Sequence, residues 1–288
     1  FADDSFSLAP VLMQKMFPSV NLTMGILMQS KSGINGTIQG HYENLINKTE
    51  AYSLSIFKPS NGKWTKESSK SIQQAFEKSI TWDMVILNVE RSEDVNEYFN
   101  KLVFGIMERF QIPLKFGVLL PQASPNGAST ATEEGIDAHI LNKLSNPTDG
   151  LFVSAQRIEE KTLSTVVFPV GTAIQNARTI PSIKALGNYA TNVNNTSGLG
   201  YLTYEGNHLQ IGLGEQICGY VVCAKILEMC GKDFNSILGD NTVCDDDFYN
   251  GKNTPSPHGN STVGATEQNT KIAQMCAIMA CKKPYAVT

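Results

Sequence analysis

Trp82-Asp83-Met84-Val85-Ile86-Leu87-Asn88 contains the run that decides the fold: four consecutive apolar side chains, opened by an aspartate and closed by an asparagine. Successive residues of a strand point to opposite faces, so a strand that is apolar at every position must be covered on both. Sheets covered on both faces are those whose parallel strands are joined by crossing helices. Outward from this run the chain alternates between the two periods. Candidate strands lie at 21–28, 84–89, 116–120 and 165–170, and helical patterns lie near 8–17, 71–79, 94–110 and 132–144. This alternation predicts βαβ units and an α/β fold, three layers deep, around a mostly parallel sheet. Residues 52–57 and a turn at 58–64 predict a small side hairpin.

Beyond His208 the pattern predicts a long helix over 211–230 and a final helix over 266–281, closed by Lys282-Lys283-Pro284. Between them, 235–263 is polar and rich in Gly and Asp, which predicts a surface loop or partial lid. There are no repeats and no linker, so residues 1–288 are read as one domain. At the front, Asp3-Asp4-Ser5-Phe6-Ser7 reads as a turn opening a helix, with only Phe1 and Ala2 before it; the first strand is expected to be truncated.

With 41% hydrophobic and 17% charged residues, 288 residues can bury a full core. The formal net charge is -4 and the Lys and Arg residues are scattered singly. No basic stripe exists for nucleic acid or an anionic membrane surface. No apolar run approaches the ~20 residues that span a bilayer. The six cysteines form no CxxC pair, and Cys218, Cys223 and Cys230 share one apolar helical stretch. These read as small buried hydrophobes rather than zinc ligands, so no metal or other cofactor is expected. A disulfide involving Cys244 stays open.

In open parallel sheets, ligands sit beyond the carboxyl ends of the strands. The loops to examine are those at Ser5, 32–41, 88–92 and 204–208. Among four histidines, His208 stands out because Tyr204-Glu205-Gly206-Asn207 precedes it. Glu205 on a tight loop can fold back to accept the imidazole Nδ1–H, fixing the tautomer of a general base. On spacing alone, an ordinary turn with a helix-capping histidine is the simpler reading. Ser7 reads as an N-cap by default, and Ser5 differs from it only if a base approaches. In that case its place at a helix entrance puts amide donors beside a developing oxyanion. His41 either lines a cleft or pairs with a carboxylate such as Glu43. Arg178 either contacts substrate or caps a helix, the structural role being favoured, and Trp82 reads as core. A weaker reading builds a metal-dependent hydrolase on Asp3, Asp4 and His208.

Several of these blocks carry a resemblance. Phe1-Ala2-Asp3-Asp4-Ser5-Phe6-Ser7 resembles the serine block of SGNH/GDSL hydrolases, and in particular a branch common in gut Bacteroides that reads Gly-Asn-Ser-Phe-Ser. Gly33-Ile34-Asn35-Gly36-Thr37-Ile38-Gln39-Gly40-His41 resembles that branch's glycine-containing second block, which ends in a histidine. The run ending in Asn88 resembles the third, where a side-chain amide ends the central strand. Residues 168–178 are close to a segment characteristic of the branch, and Glu205-Gly206-Asn207-His208-Leu209 resembles the last block, usually Asp-Gly-x-His-Leu. The blocks follow in order along essentially the whole chain. The sequence departs from the pattern at Asp3, where glycine is usual, at Asn35-Gly36, at Asn88, where the branch often has glutamine, and at Glu205, where aspartate is usual.

The resemblance implies a flavodoxin-like SGNH sheet and a serine esterase, most plausibly a carbohydrate O-deacetylase or related ester hydrolase, working outside the cytoplasm. By similarity Ser5 is the nucleophile, His208 its base and Glu205 the orienting acid. The oxyanion would be held by the Ser5 amide, an amide near Gly36 and the Asn88 side chain, with His41 and Arg178 as candidates for substrate contact. The partner would be an acylated carbohydrate or other small ester. An alternative of a different class is a glycan-binding or structural module of a larger surface or phage fibre protein.

Overall fold

The computed structural model describes residues 6–29, 37–77, 80–88, 95–110, 115–124, 128–129, 132–161, 165–184, 202–204, 208–210, 212–244 and 265–288. In chain order the first elements are helix α1 (Ala9–Met16), strand β1 (Met24–Gln29), α2 (Ile38–Asn47), β2 (Tyr52–Lys58), β3 (Lys63–Lys70) and α3 (Ile72–Phe76). Next come β4 (Met84–Asn88), α4 (Val95–Phe110), β5 (Lys115–Leu119), α5 (Glu133–Ser145), α6 (Leu151–Lys161) and β6 (Thr165–Phe168). They are followed by α7 (Val170–Thr179), α8 (Pro181–Lys184), β7 (Thr203–Tyr204), β8 (His208–Leu209), α9 (Leu213–Met229) and α10 (Glu267–Lys282).

The deciding run is indeed a parallel strand. β4, β5 and β6 pair in that order, all parallel, with Met84 opposite Lys115 and Leu119 opposite Phe168. Alternation then sorts their side chains into two layers. Met84, Ile86, Leu119 and Phe168 pack with residues of α1, α7, α9 and α10. Val85, Leu87, Phe116, Val118 and Val167 pack with residues of α2, α4, α5 and α6. Helices therefore cover both faces of the parallel strands, and the chain is of mixed α/β class.

The sheet is less parallel than its sequence suggests. The strand expected at 21–28 begins at Met24 and pairs antiparallel with β2, Met24 opposite Phe57 and Gln29 opposite Tyr52. β2 pairs antiparallel with β3, so the expected side hairpin is two-thirds of a three-stranded antiparallel sheet. Tyr52-Ser53-Leu54-Ser55-Ile56-Phe57 alternates like a strand with one wet face, yet Ser53 and Ser55 are 8% and 4% exposed. The strand is central, so both of its faces are covered. β3, with three lysines and a glutamate, is the exposed edge, where charge discourages edge-to-edge pairing.

Helix starts follow side-chain chemistry. Thr37, Thr132 and Thr266 each accept a hydrogen bond from the backbone N–H three residues on, opening α2, α5 and α10. Ser71 and Gln74 form a reciprocal capping box at α3. α3 spans only five residues of the longer helix expected at 71–79. α9 is buried continuously from Leu213 to Ala224, as an apolar helix with no polar face must be. The first part of the expected loop over 235–263 is not loose: Ile237 and Val243 are fully buried in two short 3-10 turns, Phe234–Ile237 and Thr242–Cys244. Residues 245–264 lie outside the described residues. Among the described residues no helix is long and apolar enough to cross a membrane.

Candidate active site

Asn88, which ends β4, and Pro121 and Gln122, which follow β5, contribute to the candidate site. After β5 the chain continues through Leu120, Pro121 and Gln122. The N–H of Gly171 in α7 donates to the Leu120 carbonyl at 2.8 Å. A Cβ on Gly171 would lie 2.1 Å from the Pro121 carbonyl oxygen, so only glycine lets α7 enter this close to the sheet. Phe6 packs edge-on against Phe168, the last residue of β6, with ring centroids 6.2 Å apart. Phe6, which follows Ser5 in sequence, is thereby held at the carboxyl end of β6.

Phe6, Asn88, Pro121, Gln122 and His41 border one cavity of about 1060 Å³. At its rim Asn88 closes β4 with its Oδ1 buried and without a hydrogen-bond partner among the described residues. A polar group left so in a protein interior costs free energy unless a ligand or water meets it. Ser7 is fully buried, and its Oγ likewise has no partner there, while its carbonyl accepts Trp64 Nε1–H at 3.2 Å.

His41 sits on α2 with Nδ1 2.7 Å from the Tyr52 hydroxyl, which also accepts Asn44 Nδ2–H at 3.1 Å. Which of the two donates depends on the imidazole tautomer: where the Tyr52 hydroxyl donates to Nδ1, the ring proton sits on Nε2. Burial pushes the Tyr52 hydroxyl up to about 12 and lowers the His41 pKa, so the pair is neutral at physiological pH. Glu43, the alternative partner expected for His41, instead accepts Gln39 Nε2–H at 2.8 Å. His41 thus lines the cavity with Tyr52, and not Glu43, as its hydrogen-bond partner among the described residues.

A second group lies on the hairpin of β7 and β8. Tyr204 pairs with His208 and Thr203 with Leu209, so 205–207 is a three-residue connection. His208 is half-buried on β8, not at a helix start as expected; α9 follows at Leu213. Two contacts hold this hairpin from below. Arg178, 1% exposed on α7, donates from Nη2 to Thr203 Oγ1 at 3.3 Å. A Cβ on Gly214 would lie 2.1 Å from the Leu202 carbonyl oxygen, which fixes α9 tightly under the strand. Arg178 is therefore placed to set the height of the His208 hairpin rather than to face the cavity.

The structure thus lines one cavity with Phe6, Asn88 and His41, and it puts His208 on a separate hairpin that Arg178 of α7 meets through Thr203. Ser5, Gly36 and Glu205 lie outside the described residues. So do Asp3 and Asp4. Among the described residues no group of three His, Cys, Asp or Glu side chains could hold a metal ion. Trp82 borders the cavity, half-buried, with Nε1–H donating to the Ala75 carbonyl at 3.3 Å. Gln122 and Ser7 were missed from sequence; Ser7 was read as a cap. Only their burial singles them out, and neither carries a spacing that predicts it.

No protein-family model matches the chain, and no curated protein matches it. A solved structure of a DUF4886 family protein from Bacteroides uniformis is similar over 100% of this chain and 93% of that one. The TM-score is 0.61 and the identity 19%. At that identity the likeness concerns the fold.

Proposed function

We propose that this chain is a serine hydrolase of the SGNH type, with a flavodoxin-like sheet, that cleaves an ester on an acylated carbohydrate. The observation that carries the reading is that Phe6, the neighbour of Ser5 in sequence, and Asn88, whose side-chain amide can donate through Nδ2, line one cavity that runs along β4 to its carboxyl end. A nucleophile and an amide donor at that place are what acyl transfer needs. Ser5 attacks the acyl carbonyl. His208 takes the hydroxyl proton and returns it to the leaving alcohol, and Glu205 holds the imidazole in the correct tautomer. Oxyanion donors would be the Ser5 amide, an amide near Gly36 and the Asn88 side chain, each worth ~3 kcal/mol in the barrier.

Support comes also from the hairpin register. Tyr204 stands opposite His208, and in sequence Glu205 follows Tyr204 directly. Arg178 acts through Thr203, as a positioning residue for that hairpin. The carbohydrate part of the proposal rests on the resemblance alone, since fold and triad select neither acyl group nor alcohol.

The test is p-nitrophenyl acetate hydrolysis by wild type, Ser5→Ala and His208→Ala, with fluorophosphonate labelling in parallel. The expected result is turnover and labelling by wild type and a loss of at least ~10³-fold in each variant. Wild type that neither labels nor hydrolyses overturns the reading and leaves glycan binding as the function to assay.

A further inference from the structure

Helix α7 is buried along its whole length, from Val170 to Arg178. Its apolar residues are mostly small, Gly171, Ala173 and Ala177 beside Val170 and Ile174. Ridges that lock one helix against another are built by large side chains, so beyond the close contact of Gly171 packing grips α7 weakly. Polar side chains hold it instead. Gln175 Nε2–H donates to Asp137 of α5 at 3.2 Å, and Arg178 donates to Thr203 of the His208 hairpin at 3.3 Å. Thr172 and Asn176 both reach residues 284–288, which follow α10. The Thr172 hydroxyl donates to the Pro284 carbonyl at 2.5 Å, and the Thr288 N–H donates to Asn176 Oδ1 at 2.8 Å.

These five residues cross two helices. The Tyr285 ring packs edge-on against Phe152 of α6, with centroids 6.0 Å apart, and its hydroxyl donates to the Glu159 carboxylate of the same helix. Tyr285 and Val287 join the apolar layer on the α6 side of the sheet, whereas α7 belongs to the layer on the other side. On α7 itself, Thr172 and Asn176 are four residues apart and share a face. Arg178 stands about 200° round the helix from Asn176. The helix is therefore held between residues 284–288 on one side and the hairpin on the other.

We infer that residues 284–288 are a strap that positions α7 and, through Arg178 and Thr203, the hairpin carrying His208. Pro284 to Val287 are half-buried and Thr288 is exposed, so the strap can lift without global unfolding. Lifting it takes the partners from the Thr172 hydroxyl and Asn176 Oδ1, on residues that are 0% and 2% exposed. Asn176 Nδ2 has no partner among the described residues even with the strap in place. Buried polar groups without partners are costly, so α7 must turn or shift to wet them, and Arg178 moves with it. The coupling requires no catalytic role of His208, while its bearing on chemistry rests on the function proposed above.

Amide exchange of Gln210 reports on the hairpin, because its N–H donates to the carbonyl of Leu202, the neighbour of Thr203, at 3.0 Å. It is measured in the full chain, in Thr172→Val and Tyr285→Phe, and in Ser71→Ala, a control whose side-chain hydrogen bond lies within α3. Both strap substitutions keep the bulk of the side chain and are expected to fold. Both should speed exchange of the Gln210 amide at least ~10-fold, while Ser71→Ala, with a comparable fall in Tm, leaves it within about twofold. In a Thr203→Val background, which lacks the acceptor of Arg178, Thr172→Val should add no further acceleration. Equal Gln210 exchange in strap and control variants overturns the inference, as does undiminished acceleration in the Thr203→Val background. Turnover of p-nitrophenyl acetate tests the bearing on His208. Where wild type hydrolyses it, Thr172→Val should lower kcat about tenfold with KM unchanged, and an unchanged kcat overturns the positioning of His208. Wild type without turnover refutes the serine-hydrolase reading and leaves Gln210 exchange to decide the strap.

Discussion

At Gly171 a single methyl group meets an immovable neighbour. The Cβ of an alanine would fall 2.1 Å from a backbone carbonyl oxygen, that of Pro121, which no rotamer change can relieve. Either α7 or the segment after β5 must shift, and both border the candidate site. Gly171→Ala is expected to cost about 3 kcal/mol, a Tm loss of ~6–12 °C, by the overpacking penalty of a close-packed interior. Gly231→Ala is the control: its φ of +70° strains an alanine, but nothing lies within 4 Å, so about 1 kcal/mol is expected. Equal losses at the two positions, measured by thermal unfolding, would sink the close-packing account. His41 offers a titration instead. Burial lowers its pKa from 6.5, so near that pH the native protein binds fewer protons than the unfolded chain. The stability this contributes is present above pH 6.5 and is lost as pH falls through the native pKa. His41→Gln should therefore flatten the decline of Tm between about pH 7.5 and 5.5, and parallel curves for wild type and variant would contradict the assignment. Legibility at this scale was uneven. His41 was readable as a cleft residue because its block ends in histidine. Its partner Tyr52 was not, since it stands eleven positions on, past the end of α2 and at the start of β2. Arg178 looked like a capping or substrate arginine because burial does not show in a sequence; the fold swallows a full guanidinium and spends it on Thr203.

Helices α9 and α10 show what a segment's composition can and cannot say. Cys218 and Cys223 of α9 read as small hydrophobes and are indeed buried; Cys276 and Cys281 of α10 are buried as well, which pushes their thiols up to about 12. Cys230, at the end of the same apolar stretch, is exposed. The polar stretch beyond α9 was read as loop from composition, which misses a clamp. Asp240 accepts the Tyr220 hydroxyl at 2.8 Å through Oδ2 and the Thr242 hydroxyl at 2.6 Å through Oδ1, while its carbonyl accepts Gln274 Nε2–H at 2.6 Å. One short polar segment thereby ties α9 to α10. Asp240→Ala leaves the hydroxyl of a fully buried tyrosine short of its acceptor, an expected loss of about 2 kcal/mol. Tyr220→Phe removes the donor instead and should cost about 1 kcal/mol, and in that background Asp240→Ala should cost clearly less than in wild type. Additive losses in chemical denaturation would show that the two groups do not interact. Elements whose signals are local were readable, as with the threonine caps and the apolar run of β4. The antiparallel pairing of β1 with β2 was not, because a strand's partner and direction are set by contacts between segments far apart in sequence.

For the whole molecule, the arrangement of edges makes a statement about where the fold is firm. β5 has a strand on each side and helices over both faces, so its amides are paired and its side chains are dry. β4 has the same helical cover and a more apolar sequence, yet it is half-exposed throughout because one edge borders the cavity. Hydrophobicity alone would rank β4 as the firmer strand; pairing ranks it below β5. Opening a strand edge to solvent requires no global unfolding, so its free edge exchanges at a local cost only. Native-state amide exchange of the 288-residue chain should accordingly divide the parallel sheet. Amides of Phe116 to Leu119 should exchange only by opening near the global unfolding free energy. Those of β4 that do not bond to β5 should exchange at least ~10³-fold faster, with β1 showing the same split toward its own free edge. The split has a functional side, since Asn88 closes β4: an amide donor on a strand with one loose edge is held less firmly than one on a fully paired strand, and preorganisation is what makes such a donor effective. If β4 proves as protected as β5, its edge is already covered in solution, and the half-exposure of Met84 to Asn88 has another origin.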